Sequence, residues 1–332
     1  MRPALLLLSA LLLTTCAVQP AAEQPRAPST TSAPPLEAPA YLDDRSNAEA
    51  LIASLYSAVN RREYARAYSY WRADAPTLPA YDAFVEGYRS TQRVQVRYGT
   101  LSGDAGAGQA RYALSVGLSV ETNTGMEYFV GCYTLRLSSP GAQATLPYQP
   151  LAIEDAAVRA SAAPATAEEL GRACAVEGSP VPPAPPADTI DASVYLDDRS
   201  DPAALLRSFY NAINRGEYLR AYGYWDEPSL MTPLPDFTAQ YDATRSVTLT
   251  TGAVLSEADA GQRYYFVPAT VVAQLGDGST ETVAGCYFLY QPDPASQTPP
   301  FQPLRITASD LEPITPETSA DELMAERCRV RR

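Results

Sequence analysis

The sequence contains the same passage twice. Tyr41-Leu42-Asp43-Asp44-Arg45-Ser46 recurs unchanged as Tyr195 to Ser200, an offset of 154. The same offset carries Tyr56 to Tyr210, Asn60 to Asn214, Glu63 to Glu217, Trp71 to Trp225, and Gly131-Cys132-Tyr133 to Gly285-Cys286-Tyr287. It slips to 153 in between, as in Phe84/Phe237 and Tyr88/Tyr241, so insertions and deletions compensate. Solenoid repeats run about 20–50 residues, and a period near 150 marks a duplicated domain. Whatever this chain folds into, it must use one architecture twice.

The remaining segments have no core-forming pattern. Arg2 precedes a ten-residue apolar run from Ala4 to Leu13. A membrane span needs roughly 20 such residues, so residues 1–16 read as a secretory signal. They end in Leu13-Thr14-Thr15-Cys16, which resembles the bacterial lipobox, and that resemblance implies a lipid on Cys16. Thr15 departs from the usual Gly, Ala or Ser, and ordinary cleavage just past Cys16 is the alternative, giving a secreted chain. Residues 17–40, rich in Pro, Ala, Ser and Thr, read as a disordered tether. Residues 175–194 read as a Pro-rich semi-rigid linker. That leaves domains at 41–174 and 195–328 and a short tail at 329–332.

Charge and missing residue types exclude several kinds of chemistry. The net charge of −13 disfavours nucleic acid and anionic lipid heads. The chain has no histidine, and all 25 basic residues are arginine. There is then no Ser-His or Cys-His pair, no imidazole metal ligand, no Schiff base and no phosphate-loop lysine. No cofactor and no metal are expected. The paired acids of Leu42-Asp43-Asp44-Arg45 and of 196–199 supply too few oxygens for calcium. They read as solvated, or paired with their own arginine. With Cys16 set aside, four cysteines remain. They allow three connectivities, but the equal 42-residue spacing favours Cys132–Cys174 and Cys286–Cys328.

Each repeat opens with helical patterns and closes with strands. Ser46-Asn47-Ala48-Glu49 reads as a capping box with Ser46 at the cap. Pro202 suits a first helical turn. Leu51, Leu55 and Val59 then mark an amphipathic helix. Gly216, matched by Arg62, suits a left-handed end. A second helix starts near Glu63 with Tyr64, Ala67, Tyr68 and Trp71 on its buried face, and 81–90 is a third helical segment. Beyond about residue 93 the pattern alternates and is rich in Val, Tyr and Thr, giving an antiparallel meander. Helices followed by a meander make an α+β domain.

The elbow Asn60-Arg61-Arg62-Glu63-Tyr64, its copy at 214–218, and the closing strands at 150–155 and 303–310 resemble the nuclear transport factor 2-like superfamily. That superfamily also contains ketosteroid isomerases and polyketide cyclases. The resemblance implies two tandem cone-like domains, each with N-terminal helices on a curved antiparallel sheet. It also makes the elbow a structural joint, with Asn60 and Glu63 shaping the turn and capping the next helix.

The expected function is a non-catalytic binding or interaction protein of the cell envelope. Its partner is a small amphipathic ligand or an envelope protein, and it touches the membrane only through its N-terminal lipid. Candidate pocket residues are Tyr56, Tyr64, Tyr68 and Trp71, with Tyr210, Tyr218, Tyr222 and Trp225; the alternative is that they fill the cores. Other readings are a cofactor-free isomerase- or cyclase-like enzyme, for which Glu127 and Glu281 are the nearest matched carboxylates, and a structural protein whose domains pair through their sheets as an internal pseudo-dimer.

Overall fold

The computed structural model describes residues 39–174, 179–180, 192–226 and 232–329, with 179–180 in backbone only. The signal segment, Cys16, and most of the tether, linker and tail lie outside the described residues.

The first helix of each repeat forms where the apolar stripe falls, but its cap differs from expectation. Helix α1 spans Ala48–Asn60, and Asn47, not Ser46, accepts from the Ala50 amide at 2.9 Å. In the second repeat Asp201 caps α5, Pro202–Asn214, through the Ala204 amide at 2.9 Å. Leu51, Ile52, Leu55 and Val59 are buried, as are Leu205, Leu206, Phe209 and Ile213. Each such side chain contributes about 1.5–3 kcal/mol of apolar burial. Arg62 (φ 61°) and Gly216 (φ 67°) both turn left-handed after these helices. Glycine adopts that conformation freely, whereas the exposed Arg62 takes it in a turn closed by backbone bonds from Arg62 to the Val59 carbonyl and from Glu63 to the Ala58 carbonyl, both at 2.9 Å.

Asn60 serves the sheet and not the next helix. Its amide donates to the Val94 carbonyl at 2.9 Å and accepts from the Val94 amide at 2.6 Å. Asn214 clasps Val247 in the same way. Glu63 and Glu217 make no side-chain cap for α2, Tyr64–Ser69, or α6, Tyr218–Tyr222. Both helices stop short of the tryptophans. Trp71 and Trp225 instead form isolated parallel bridges to Ile153 and Ile306. Helices α3, Tyr81–Gly87, and α7, Leu234–Ala239, complete the helical layers.

The fold is α+β with two antiparallel sheets. The first contains β1 (Thr91–Gly106), β2 (Gln109–Thr122), β3 (Gly125–Ser138), β4 (Ala152–Ser161) and the two-residue β5 (Ser179–Pro180), in the order β4-β3-β2-β1-β5. The second contains β6 (Thr244–Thr251), β7 (Leu255–Asp259), β8 (Gln262–Leu275), β9 (Thr280–Pro292) and β10 (Arg305–Pro313). Its order is β10-β9-β8-β6, with β7 also on β8. Both copies interrupt the ladder at the same place. Strand β1 shifts register between Tyr98 and Leu101. In the second copy the strand splits into β6 and β7 opposite Pro268, which has no amide hydrogen to donate.

Each sheet has an apolar core on its helical face. The opposite face carries a short C-terminal helix, α4 (Ala167–Ala173) or α8 (Ala320–Arg327), each opened by a complete capping box. Gly99 and Gly117 make room for α4, since a Cβ there would come within 2.8 Å of Leu170 and Ala165 respectively. Disulfides Cys132–Cys174 and Cys286–Cys328 staple these helices to β3 and β9, with Cα separations of 5.0 and 5.1 Å. The bridges indicate an oxidising, extracytoplasmic environment. Among the described residues no helix is long and apolar enough to cross a membrane.

Candidate functional site

The hexapeptide that recurs unchanged is where the two repeats meet. Asp44 and Asp198 form an antiparallel bridge. The Arg45 amide donates to the Asp197 carbonyl and the Arg199 amide to the Asp43 carbonyl, both at 2.7 Å. Ser46 Oγ accepts from the Asp197 amide at 2.9 Å, and Ser200 Oγ from the Asp43 amide at 2.8 Å. Every bond has its reciprocal, so the seam is a pseudo-twofold made by one chain. This explains why the serines do not cap helices. The repeats meet through these hexapeptide segments, and one expectation needs correcting: Asp43 and Asp197 are not solvated, although Asp197 lies 3.9 Å from its own Arg199. Asp43 and Asp197 are each only 2% exposed.

Buried polar groups tie the seam to each domain. Tyr70 donates to Asp43 at 2.9 Å and Tyr224 to Asp197 at 2.8 Å. Behind them Arg66 and Arg220, among the largest fully buried side chains, each donate through Nε to Glu63 or Glu217 at 2.7 Å. Each arginine also donates to its tyrosine hydroxyl and to the carbonyl of Leu42 or Leu196. A buried charge is tolerated only when paired and hydrogen-bonded, and both conditions are met here. The elbow glutamates are thus anchors for a buried arginine. Burial, and next the charge of Asp198, push the Asp44 carboxyl up to about 6. Burial raises Asp198 as well.

Loops from each repeat cross to the other. The turn Pro140–Ala142 after β3 lies against α6, and Pro294–Ser296 after β9 lies against α2. The Tyr148 and Tyr195 hydroxyls are 3.0 Å apart, and Gln291 donates to the Tyr41 hydroxyl at 2.9 Å. Between these crossings is a cleft of about 570 Å³. Asp43, Arg45, Ser69, Leu146, Pro147, Tyr148 and Pro150 line it from the first repeat. Asp197, Arg199, Tyr222, Gly223, Trp225, Phe301, Pro303 and Arg305 line it from the second. A hollow of about 400 Å³ beside Trp71 and Tyr148 occupies a related position in the first repeat.

The eight aromatic residues singled out in the sequence are not gathered into one pocket per domain. Tyr56 and Tyr133 meet at 2.6 Å between hydroxyls in the first core, and Tyr210 meets Tyr287 in the second. Burial raises all four hydroxyls, Tyr133 to about 12. Tyr64 stacks on Tyr88 and Tyr218 on Tyr241. Tyr68 and Tyr222 pack edge-on to Phe84 and Phe237 and donate to the Pro79 and Thr232 carbonyls. Tyr222 and Trp225 border the large cleft, and Trp71 borders the smaller hollow. Glu127 and Glu281 are exposed on β3 and β9. Among the described residues no cluster of acids and cysteines could hold a metal ion.

Sequence reasoning missed Arg66, Arg220, Tyr70, Tyr224 and the cleft. The signal for the seam was present, since a run unchanged between otherwise diverged copies implies contacts that both copies need. The sequence matches no protein-family model, and no curated protein matches it.

Proposed function

We propose that this chain is an exported binding protein of the cell envelope, tethered by a lipid on Cys16. In this reading its two tandem domains are of the nuclear transport factor 2-like, cone-shaped type. The ligand sits between the domains and not inside either cone, and the protein is not an enzyme. The observation that carries this is the cleft of about 570 Å³ walled by both repeats. Its volume falls within the roughly 300–1,000 Å³ of sites that enclose small ligands. Tyr148, Tyr222, Trp225 and Phe301 give it aromatic walls, and arginines give it polar edges. Such walls suit a ligand with an apolar body and a polar end.

The paired tyrosine hydroxyls argue against catalysis in the cones. An isomerase-like site needs an acid or base open to substrate. Here the central hydroxyls of Tyr56 and Tyr133 hold each other in a buried core. The same packing supports a second reading, a structural protein with filled cores and no ligand.

Native mass spectrometry of the protein purified from the extracytoplasmic fraction separates the two. A small molecule bound one per chain, lost from a Tyr148→Ala/Trp225→Ala variant, supports the binding reading. A bare chain from every preparation, with no stabilisation by cell extract, supports the structural one. The mass of the N-terminal peptide reports diacylation of Cys16.

A further inference from the structure

We infer that the ligand of the inter-repeat cleft is a small amphipathic organic anion, its acidic group held by Arg45 and Arg199. This rests on the binding reading above and adds the ligand's charge. The two arginines occupy equivalent positions of the two repeats and line the same cleft. Each guanidinium packs on a tyrosine ring, Arg45 on Tyr70 at 4.6 Å and Arg199 on Tyr224 at 4.5 Å. Stacking fixes the plane of the fork before any ligand arrives.

Their hydrogen bonds go to neutral acceptors. Arg45 donates to the Ser69 carbonyl and hydroxyl at 3.1 Å and to the Leu151 carbonyl at 3.5 Å. Arg199 donates to the Gly223 carbonyl at 3.1 Å and the Leu304 carbonyl at 3.3 Å. Among the described residues Arg45 has no carboxylate within 4.0 Å, and the nearest to Arg199 is Asp197 at 3.9 Å, beyond hydrogen-bond reach. A guanidinium has five N–H donors, so each arginine keeps donors to spare.

The acids of the cleft floor are committed elsewhere. Asp43 accepts from Tyr70 and Tyr41, and Asp197 from Tyr224 and Tyr195. Arg305 is paired with Asp226 at 3.2 Å. The open polar capacity at this site is therefore donor capacity, carried by two preorganised cations beside an aromatic wall. A carboxylate, sulfonate or phosphate, each presenting two oxygens to a guanidinium, suits such forks.

The test compares two dyes on the full oxidised chain, 1-anilinonaphthalene-8-sulfonate and its uncharged relative N-phenyl-1-naphthylamine. The sulfonate should bind one per chain, and Arg45→Gln/Arg199→Gln should weaken it at least tenfold while changing the neutral dye less than twofold. Should the variant not fold, salt serves instead on the unaltered protein. Raising ionic strength from about 0.01 M to about 1 M shortens the screening length from about 30 to 3 Å, and it should weaken only the sulfonate. Equal binding of both dyes, indifferent to salt and to the arginines, overturns the anion inference and leaves the cleft reading standing. If neither dye binds, both fall.

Discussion

Asp44 and Asp198 meet in one antiparallel bridge at the centre of the seam, and neither has an arginine within ion-pair distance among the described residues. Both carboxyls are raised, chiefly by burial. A carboxyl raised on folding favours the folded state when it carries its proton. For Asp44 that stabilisation is complete below about pH 4 and is lost as pH rises through about 6. Asn at position 44 keeps the oxygen that accepts from the Ser46 amide and cannot ionise. Asp44→Asn should therefore stabilise the protein by about 3 kcal/mol at pH 7, and the gain should largely vanish near pH 4. Urea denaturation of both proteins across that range checks it; a variant less stable at both ends sinks the idea.

The Glu63–Arg66 pair should behave as a unit. Arg66 is fully buried and Glu63 is 2% exposed. Arg66→Met strands the glutamate with Arg61 alone and should cost about 3–5 kcal/mol. Glu63→Gln should cost less, and the double variant should fall well short of the sum. A double-mutant cycle on denaturation free energies measures the coupling. Strict additivity would show that the two side chains act separately.

Gly131 and Gly285 allow β4 and β10 to close on β3 and β9. A Cβ at Gly131 would lie 2.2 Å from the Ala157 carbonyl oxygen, and one at Gly285 would lie 2.0 Å from that of Asp310. Those are backbone atoms of β4 and β10, so the strand itself must move. Gly131→Ala should cost more than the 1–3 kcal/mol typical of overpacking, about 3 or above. Gly141→Ala, with nothing within 4 Å, is the control and should be nearly neutral. Thermal melts of the two variants decide it.

The seam serines join domains that have separate cores. Ser46→Ala and Ser200→Ala each leave a backbone amide without its acceptor, at about 1–3 kcal/mol. The double variant should melt in two steps where the parent melts in one. Amide exchange at Asp43 and Asp197 should accelerate before the core of either repeat opens. A single transition with an unchanged midpoint would mean the repeats are coupled by other contacts.

What the sequence made legible was local or repeated. The offset of 154 marked the duplication, and cysteine spacing matched both bridges. The turn at Gly216 followed from glycine's backbone freedom. Ser46 was misread because Ser-x-x-Glu is a sound capping box locally; a contact with Asp197, 151 residues away, claimed the hydroxyl. Arg66 was invisible for a related reason. Its position next to apolar neighbours looks like the edge of a helix, and only tertiary packing shows that Glu63, Leu42 and Tyr70 enclose it. The cleft belongs to neither repeat alone, so no pattern within one copy could outline it.

The seam's pseudo-twofold has one further consequence. In a homodimer held by such isologous contacts, a change on one side of the dyad appears on the other. Here both sides are encoded separately. Ser69 faces Gly223 across the pseudo-dyad, Tyr148 corresponds to Phe301, and the cation pair Arg111 and Arg136 on one outer sheet face corresponds to Tyr264 and Tyr290 on the other. With the joint inside one chain, its two sides stay symmetric while the positions beyond it differ, so the chain offers two unlike faces and a lopsided cleft at every concentration.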